Sequence, residues 1–264
     1  HPDAGVVARQ LGVIVRPAPH ALAAELAQDP EDMPSETLPS GHAPEVIVCA
    51  ALGERRPGGD LLLRELSAGY PGDLRARLTA FLDAYLARLV PPLLRLWTAH
   101  GVALEAHLQN TLLVATDRPR GFLVRDLGGV RVHRPRLAAA GHALELAPGS
   151  FTITDDLAEA RGKLIHTLVH AHLAALLGWL EDAGGPATDE LWPRVRRALD
   201  LPLRAWACEP GLARACADDR AALFAPRCRM KALLAMRIHE RSSDYEYTDV
   251  ANVLADGYPP GSAA

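Results

Sequence analysis

The chain has 264 residues and a formal net charge of -4, and it lacks the basic stripe expected of a nucleic-acid binder. Hydrophobic residues make up 49% and aromatics only 5%, which predicts a sizeable core built from aliphatic helices rather than stacked rings. No run of 18 or more apolar residues occurs, so no membrane-spanning helix is predicted. Four cysteines, Cys49, Cys208, Cys216 and Cys228, are irregularly spaced without a Cys-x-x-Cys pair. That spacing disfavours structural zinc and iron–sulfur clusters and predicts reduced thiols in a cytoplasmic protein.

The opening "HPDAGVVARQ" has neither an initiator Met nor a signal peptide, and predicts a chain whose first half lies upstream. Leu11–Ala18 is a β-branched run closed by prolines and predicts a strand. The Pro- and acid-rich stretch over 27–44 predicts a surface loop, and Glu45–Leu52 a second strand. Residues 1–75 are taken as one strand-bearing segment. Residues 76–264 are taken as a helical, palm-like domain with its site hairpin over 105–133.

Apolar residues at Leu74, Leu78, Phe81, Leu82, Tyr85 and Leu86 recur at helical spacing. Pro91 and Pro92 are expected to break that helix or to start another, with Gly101 as a C-cap. "TLLVA" and "GFLVRDL" predict two strands joined by "TDRPR", and "GGVRVHR" a third. A helix follows, with Thr154 as candidate N-cap and Gly184-Gly185-Pro186 as its end. "TDELWPRVRRALDL" and "RMKALLAMRIHER" predict further helices, and "DGYPPGSAA" a frayed tail. The expected class is α+β and mainly helical, with a small antiparallel sheet cupped by helices.

The stretch "EAHLQN" crowds Glu105, His107, Gln109 and Asn110 against an apolar strand. In an antiparallel hairpin, Asn110 enters the first strand and Asp126 leaves the second, so both fall at the open end. An amide oxygen and a carboxylate are hard donors that suit Mg²⁺, which fills the rest of its shell with phosphate oxygens and water. The pattern therefore predicts a nucleotide-phosphate site with Asn110 and Asp126 as metal ligands. His166 and His170 share a helix face, but the Glu of a His-Glu-x-x-His zinc motif is absent. Those histidines and His172 are expected to be packed or hydrogen-bonded.

"H-x-x-N-T-L-L-V…V-R-D-L-G-G" is similar to the metal-holding part of small-molecule kinases. Leu108 and Gln109 stand where a kinase-like site would need its catalytic Asp, and no Gly-rich loop occurs. "HGVALEAHLQNTLLV…FLVRDLGGVRV", with "LGVIVRPAP", "PPLLRLWTAHG" and "RMKALLAMRI", resembles the C-terminal half of the NRPS-independent siderophore synthetases, the aerobactin-synthetase-like family. The resemblance implies ATP-dependent activation of a carboxylic acid, often citrate, as an acyl-adenylate. An amine or hydroxylamine then displaces AMP. It implies that Asn110 and Asp126 face ATP and Mg²⁺, that Glu105 and Gln109 line the nucleotide pocket, and that His107 faces the acid or the nucleophile. It implies an anion contact for one of Lys231 and Arg237, while Arg16, between a strand and a proline, is expected to point into the cleft, and Arg125 either contacts substrate or braces the fold. It also implies an N-terminal half with its own ATP-gripping motifs, and a homodimer. Two other readings stay open, a kinase-like phosphotransferase and a ferric-siderophore binding or reductase-like module.

Overall fold

The computed structural model describes residues 44–146, 150–239 and 247–256. The strand expected at Leu11–Ala18, the loop over 27–43, Arg16 and the tail beyond 256 lie outside the described residues. The chain is mainly helical with three small sheets, which is the α+β class expected.

The spine is α2, the 27-residue helix Leu74–His100. The Asp73 side chain accepts from the Ala76 N–H, and Gly101 at φ 71° closes the helix in the left-handed conformation that glycine adopts freely. Its inward face buries Leu78, Phe81, Leu82, Tyr85, Leu89, Leu94 and Trp97. The break expected at Pro91 and Pro92 does not occur, because the helix runs through both. A proline inside a helix costs about 3 kcal/mol. Each fully buried Leu or Phe contributes about 1.5–3 kcal/mol, so the buried stripe on both sides outweighs two prolines.

Against α2 lies a three-stranded antiparallel sheet in the order β1 (Glu45–Val48), β3 (Thr111–Ala115), β4 (Pro119–Val124). The central strand, TLLVA, is buried at every position, so it is apolar without alternation. Phe122 of β4 meets Tyr85 of α2 edge-on, with ring centroids 4.7 Å apart. Since β1 pairs with β3, residues from Glu45 onward share the core of the helical part. The short helix α1 (Leu62–Ser67) packs on α2 beside them.

The strand expected from "GGVRVHR" exists as β5 (Arg131–His133), but it does not extend the hairpin sheet. It pairs with β2 (Val102–Ala103) and, in parallel, with β6 (Ile153–Thr154). After it comes the short helix α3 (Arg134–Ala139). A continuous helical rod then runs from Leu157 to Asp182. It consists of α4 (Leu157–Leu164), a π-helical segment Ile165–Leu173 and α5 (Ala174–Asp182). Its N-cap is Asp156, not Thr154. The Asp156 carboxylate accepts from the N–H groups of Ala158 and Glu159, whereas Thr154 accepts from the Asp156 N–H. By length and composition the rod matches a membrane span, yet half of its most apolar window is buried inside the protein.

Helices α6 (Thr188–Trp206) and α7 (Ala213–Leu223) complete the helical layer. Sequence periodicity missed α7. "RMKALLAMRIHER" is not one helix. Its first residues close strand β7 (Arg227–Lys231), which pairs with β8 (Tyr247–Ala251), and only Leu233–Ile238 forms a helix, α8.

Candidate functional site

The β3–β4 register sets Thr111 opposite Val124. The Arg125 N–H donates to the Asn110 carbonyl at 2.8 Å, so pairing continues to the open end and Asp126 follows at once. Asn110 is 6% exposed, and no described residue hydrogen-bonds its amide group. Its amide atoms keep contact with solvent, so among the described residues they are open to a ligand.

Asp126 is the one described non-glycine residue at positive φ, 61°. Such a conformation costs of order 1–3 kcal/mol and concentrates at functional sites. Its Oδ1 accepts from the Gly128 N–H at 3.1 Å, which leaves Oδ2 available. One amide oxygen and one carboxylate fit Mg²⁺ that is otherwise held by phosphate and water. Among the described residues no group of three or more His, Cys, Asp or Glu forms a denser metal site.

Behind the hairpin, residues 104–110 cross the helical rod. Lys163 of α4 donates to the Glu105 carboxylate, and the Lys163 side chain is 7% exposed. That carboxylate also lies on the Cα of Gly129, where a Cβ would fall inside it. Glu105, Lys163 and the 128–129 turn therefore interlock next to Asp126. His107 is half-buried, and its carbonyl accepts from the N–H groups of Asn110 and Thr111 and from the Thr111 hydroxyl. That turn delivers Asn110 into β3.

Gln109 is exposed, and its carbonyl accepts from the Arg125 guanidinium at 3.0 and 3.2 Å. Arg125 thus clamps the two strand ends together. Arg237 is exposed on α8, and no hydrogen bond or ion pair joins it to the described part of the hairpin. Lys231 contributes its backbone to β7. The structure brings together Glu105, His107, Gln109, Asn110, Arg125 and Asp126. It adds Lys163 and Gly129, which sequence reasoning did not assign. Lys163 carried a signal, being one of two lysines in an arginine-rich chain and set in an apolar helix.

His172 is fully buried. Its Nδ1 lies 2.8 Å from the Ala106 carbonyl, which can only accept, so Nδ1 carries the proton. Nε2 then accepts from the Tyr85 hydroxyl at 2.6 Å. Burial, offset in part by the Ala106 hydrogen bond and reinforced by nearby His107, pushes its pKa down to about 4. An unfolded His titrates near about 6.5. As pH falls from that value toward 4, the unfolded chain binds a proton that the folded chain refuses, and stability drops, by roughly 3 kcal/mol over the window. Burial pushes His133 and His170 down too, in the same direction. Denaturant titrations across this range should show a smaller pH slope for His172→Gln than for wild type. An unchanged slope would contradict the assignment.

A groove of about 650 Å³ between α2 and α6, lined by Leu86, Pro91, Pro193 and Leu201 among others, contains none of the candidate residues. Its charged rim is partly satisfied, with Arg194 donating to Asp83 at 2.6 Å. The convergence of polar groups at the hairpin outweighs the volume of this groove as a sign of chemistry.

The family described as "Ferric iron reductase FhuF-like transporter" matches residues 79–246. The NRPS-independent siderophore synthetase rfs of Rhizopus delemar is 32% identical over 231 residues, covering 82% of this chain and 32% of that protein. The D-ornithine–citrate ligase of Staphylococcus aureus is 27% identical over 206 residues, covering 74% of this chain and 31% of that protein. The ATP-bound aerobactin synthetase IucA of Klebsiella pneumoniae superposes with a TM-score of 0.60 at 23% identity. That match covers 81% of this chain and 37% of IucA, and it establishes a shared fold. The chain spans about a third of the length of the relatives it matches. These relatives are the ones that the hairpin residues implied.

Proposed function

This chain belongs to the FhuF-like family, and from that premise we propose that it is the C-terminal part of a siderophore-forming ligase, holding the metal–nucleotide end of the active site. The reaction is ATP-dependent activation of a carboxylic acid of the citrate class, followed by capture with an amine or hydroxylamine. The observation that supports this reading is that Asn110, paired through its carbonyl with Arg125, and Asp126, the next residue, both lie at the open end of the hairpin, with Glu105 and Lys163 beside the following turn. The citrate ligase among the relatives and the ATP bound to IucA support the substrate classes.

Asn110 and Asp126 would hold Mg²⁺, and the metal would supply charge neutralisation between phosphate oxygens and an incoming carboxylate. Glu105 holds Lys163 toward the site, so an ammonium is stationed where anions meet. Such prearranged electrostatics is commonly the largest contribution to catalysis. His107 would receive the proton of the attacking amine or anchor the acid, since a ring nitrogen can accept a proton or donate a hydrogen bond. Arg125 acts on the protein by fixing the strand ends. Arg16, Lys231 and Arg237 are proposed as outer anion contacts.

The family description also names ferric reduction. A thiolate-held cluster needs cysteines that converge and ionise. Cys49 and Cys216 are buried in the core on different elements, and burial pushes the Cys49 thiol up to about 12. Burial also raises Cys216 and Cys228, while Cys208 is exposed after α6. This donor set does not fit such a cluster, so the ligase reading is preferred.

Calorimetric titration with ATP, with and without Mg²⁺, tests the reading. Binding is expected to require Mg²⁺ and to weaken at least tenfold in Asp126→Ala. Absence of Mg²⁺-dependent binding, or equal affinity in the variant, would contradict it.

A further inference from the structure

The helical rod departs from regular geometry where it passes under the site. Nine consecutive π-helical residues, Ile165–Leu173, are unusual, because π turns are rare, occur mostly as single-turn bulges and are frequent at functional sites. Three side chains of the rod meet three consecutive loop residues. Lys163 pairs with the Glu105 carboxylate. The Thr167 hydroxyl, bonded to the Lys163 carbonyl at 3.0 Å, also lies 3.4 Å from the Leu104 carbonyl. His172 Nδ1–H donates to the Ala106 carbonyl at 2.8 Å.

An α-helix could not do this with the same residues. At 3.6 residues per turn, Thr167 stands about 40° from Lys163, but His172 stands about 180° from Lys163 and about 140° from Thr167. His172 would face away from the loop. Wider i→i+5 turns bring residue 172 into line with residue 167.

The far side of His172 is fixed as well. Nε2 accepts from the Tyr85 hydroxyl, whose oxygen lies 3.2 Å from Cys49 Sγ, and Cys49, Tyr85 and His172 are all fully buried. A carbonyl donates nothing, so one protonation order satisfies the chain. Cys49 S–H donates to Tyr85, Tyr85 O–H donates to Nε2, and Nδ1–H donates to Ala106. The network ties the residue after β1, the spine helix and the rod to the peptide unit joining Ala106 and His107.

We propose that His172 and Thr167 are positioning residues, and that the π segment serves to hold residues 104–106 so that Glu105 and His107 face the open end of the hairpin. Neither touches substrate. The functional side of this proposal rests on the reading of that end as the metal–nucleotide site. The structural side stands on the contacts alone.

The test compares His172→Leu and His172→Gln in the full chain, by amide hydrogen exchange over 104–110 without ligand and by Mg²⁺·ATP affinity. The Leu variant should speed exchange over 104–110 at least tenfold while α6 and α7 keep wild-type protection. It should weaken Mg²⁺·ATP about tenfold. The Gln variant keeps an N–H for the Ala106 carbonyl and should recover most of both losses. If the Leu variant does not fold, Tyr85→Phe, which removes one hydroxyl, should give the same local pattern at smaller size. Unchanged exchange over 104–110 in a folded variant, or equal loosening of α6 and α7, would overturn the proposal. A wild-type chain that binds no Mg²⁺·ATP but shows the local exchange pattern would bring down the nucleotide reading and leave the positioning role standing.

Discussion

Replacing Asp219 by Ala should destabilise the chain by about 3–5 kcal/mol, the range for breaking a buried ion pair from one side. Asp219, on α7, is fully buried. It accepts two hydrogen bonds from Arg136 at 2.8 and 2.9 Å and one from the Thr98 hydroxyl at 3.0 Å, and Arg161 lies 3.6 Å away. Arg136 also stacks over Trp97, 4.5 Å from the ring centre. One carboxylate therefore joins α2, α3, α4 and α7. Without it, the side chains of Arg136 and Arg161, 11% and 19% exposed, keep their charge and lose their partner. Asp219→Asn keeps the shape and should lose less. Denaturant unfolding monitored by circular dichroism measures both, and a loss below about 1 kcal/mol for Asp219→Ala would show that the node is not a stabilising one.

Gly129→Ala should disable the site although it adds one methyl group. The Cβ would overlap the Glu105 carboxylate, the tip of a side chain 22% exposed, so that carboxylate must shift and its ion pair with Lys163 is loosened. Because a flexible tip gives way, the stability cost is about 1 kcal/mol. The expected result is that order of stability loss together with at least a tenfold loss of Mg²⁺·ATP affinity. Gly128→Ala is the control. Its Cβ would lie 3.2 Å from Asp126 Oδ1, at the tip of an exposed side chain that can move a few tenths of an ångström. The two neighbouring substitutions should therefore differ in Mg²⁺·ATP affinity, and equal effects would refute the interlock.

The hairpin was legible because two short apolar runs flank a polar turn, and antiparallel pairing then sets Asn110 opposite Arg125, with Asp126 the next residue. The spine helix was legible up to Pro91. Its continuation was not, because local propensity opposes it and only burial in the finished fold offsets that. The strands β7 and β8 are separated by fifteen residues and carry charged side chains, so no periodicity announced their pairing. His172 is packed and hydrogen-bonded as expected, but its partners and those of Lys163 escaped for other reasons. Periodicity places residues on an ideal helix, and the π segment changes which residues share a face. The contact of Ala106 with His172 depends on that change, whereas Glu105 with Lys163, which lies in α4 ahead of the π segment, is a long-range pairing that no local pattern announces.

The most direct test of the central claim is to replace Mg²⁺ by Mn²⁺ and follow paramagnetic broadening of backbone amide signals as Mn²⁺·ATP is added. Broadening should be strongest at Asn110, Asp126 and Gly128, weaker at Glu105 and Lys163, and absent from α6. Broadening centred on the groove between α2 and α6, or none at the open end of the hairpin, would contradict the placement of the nucleotide there.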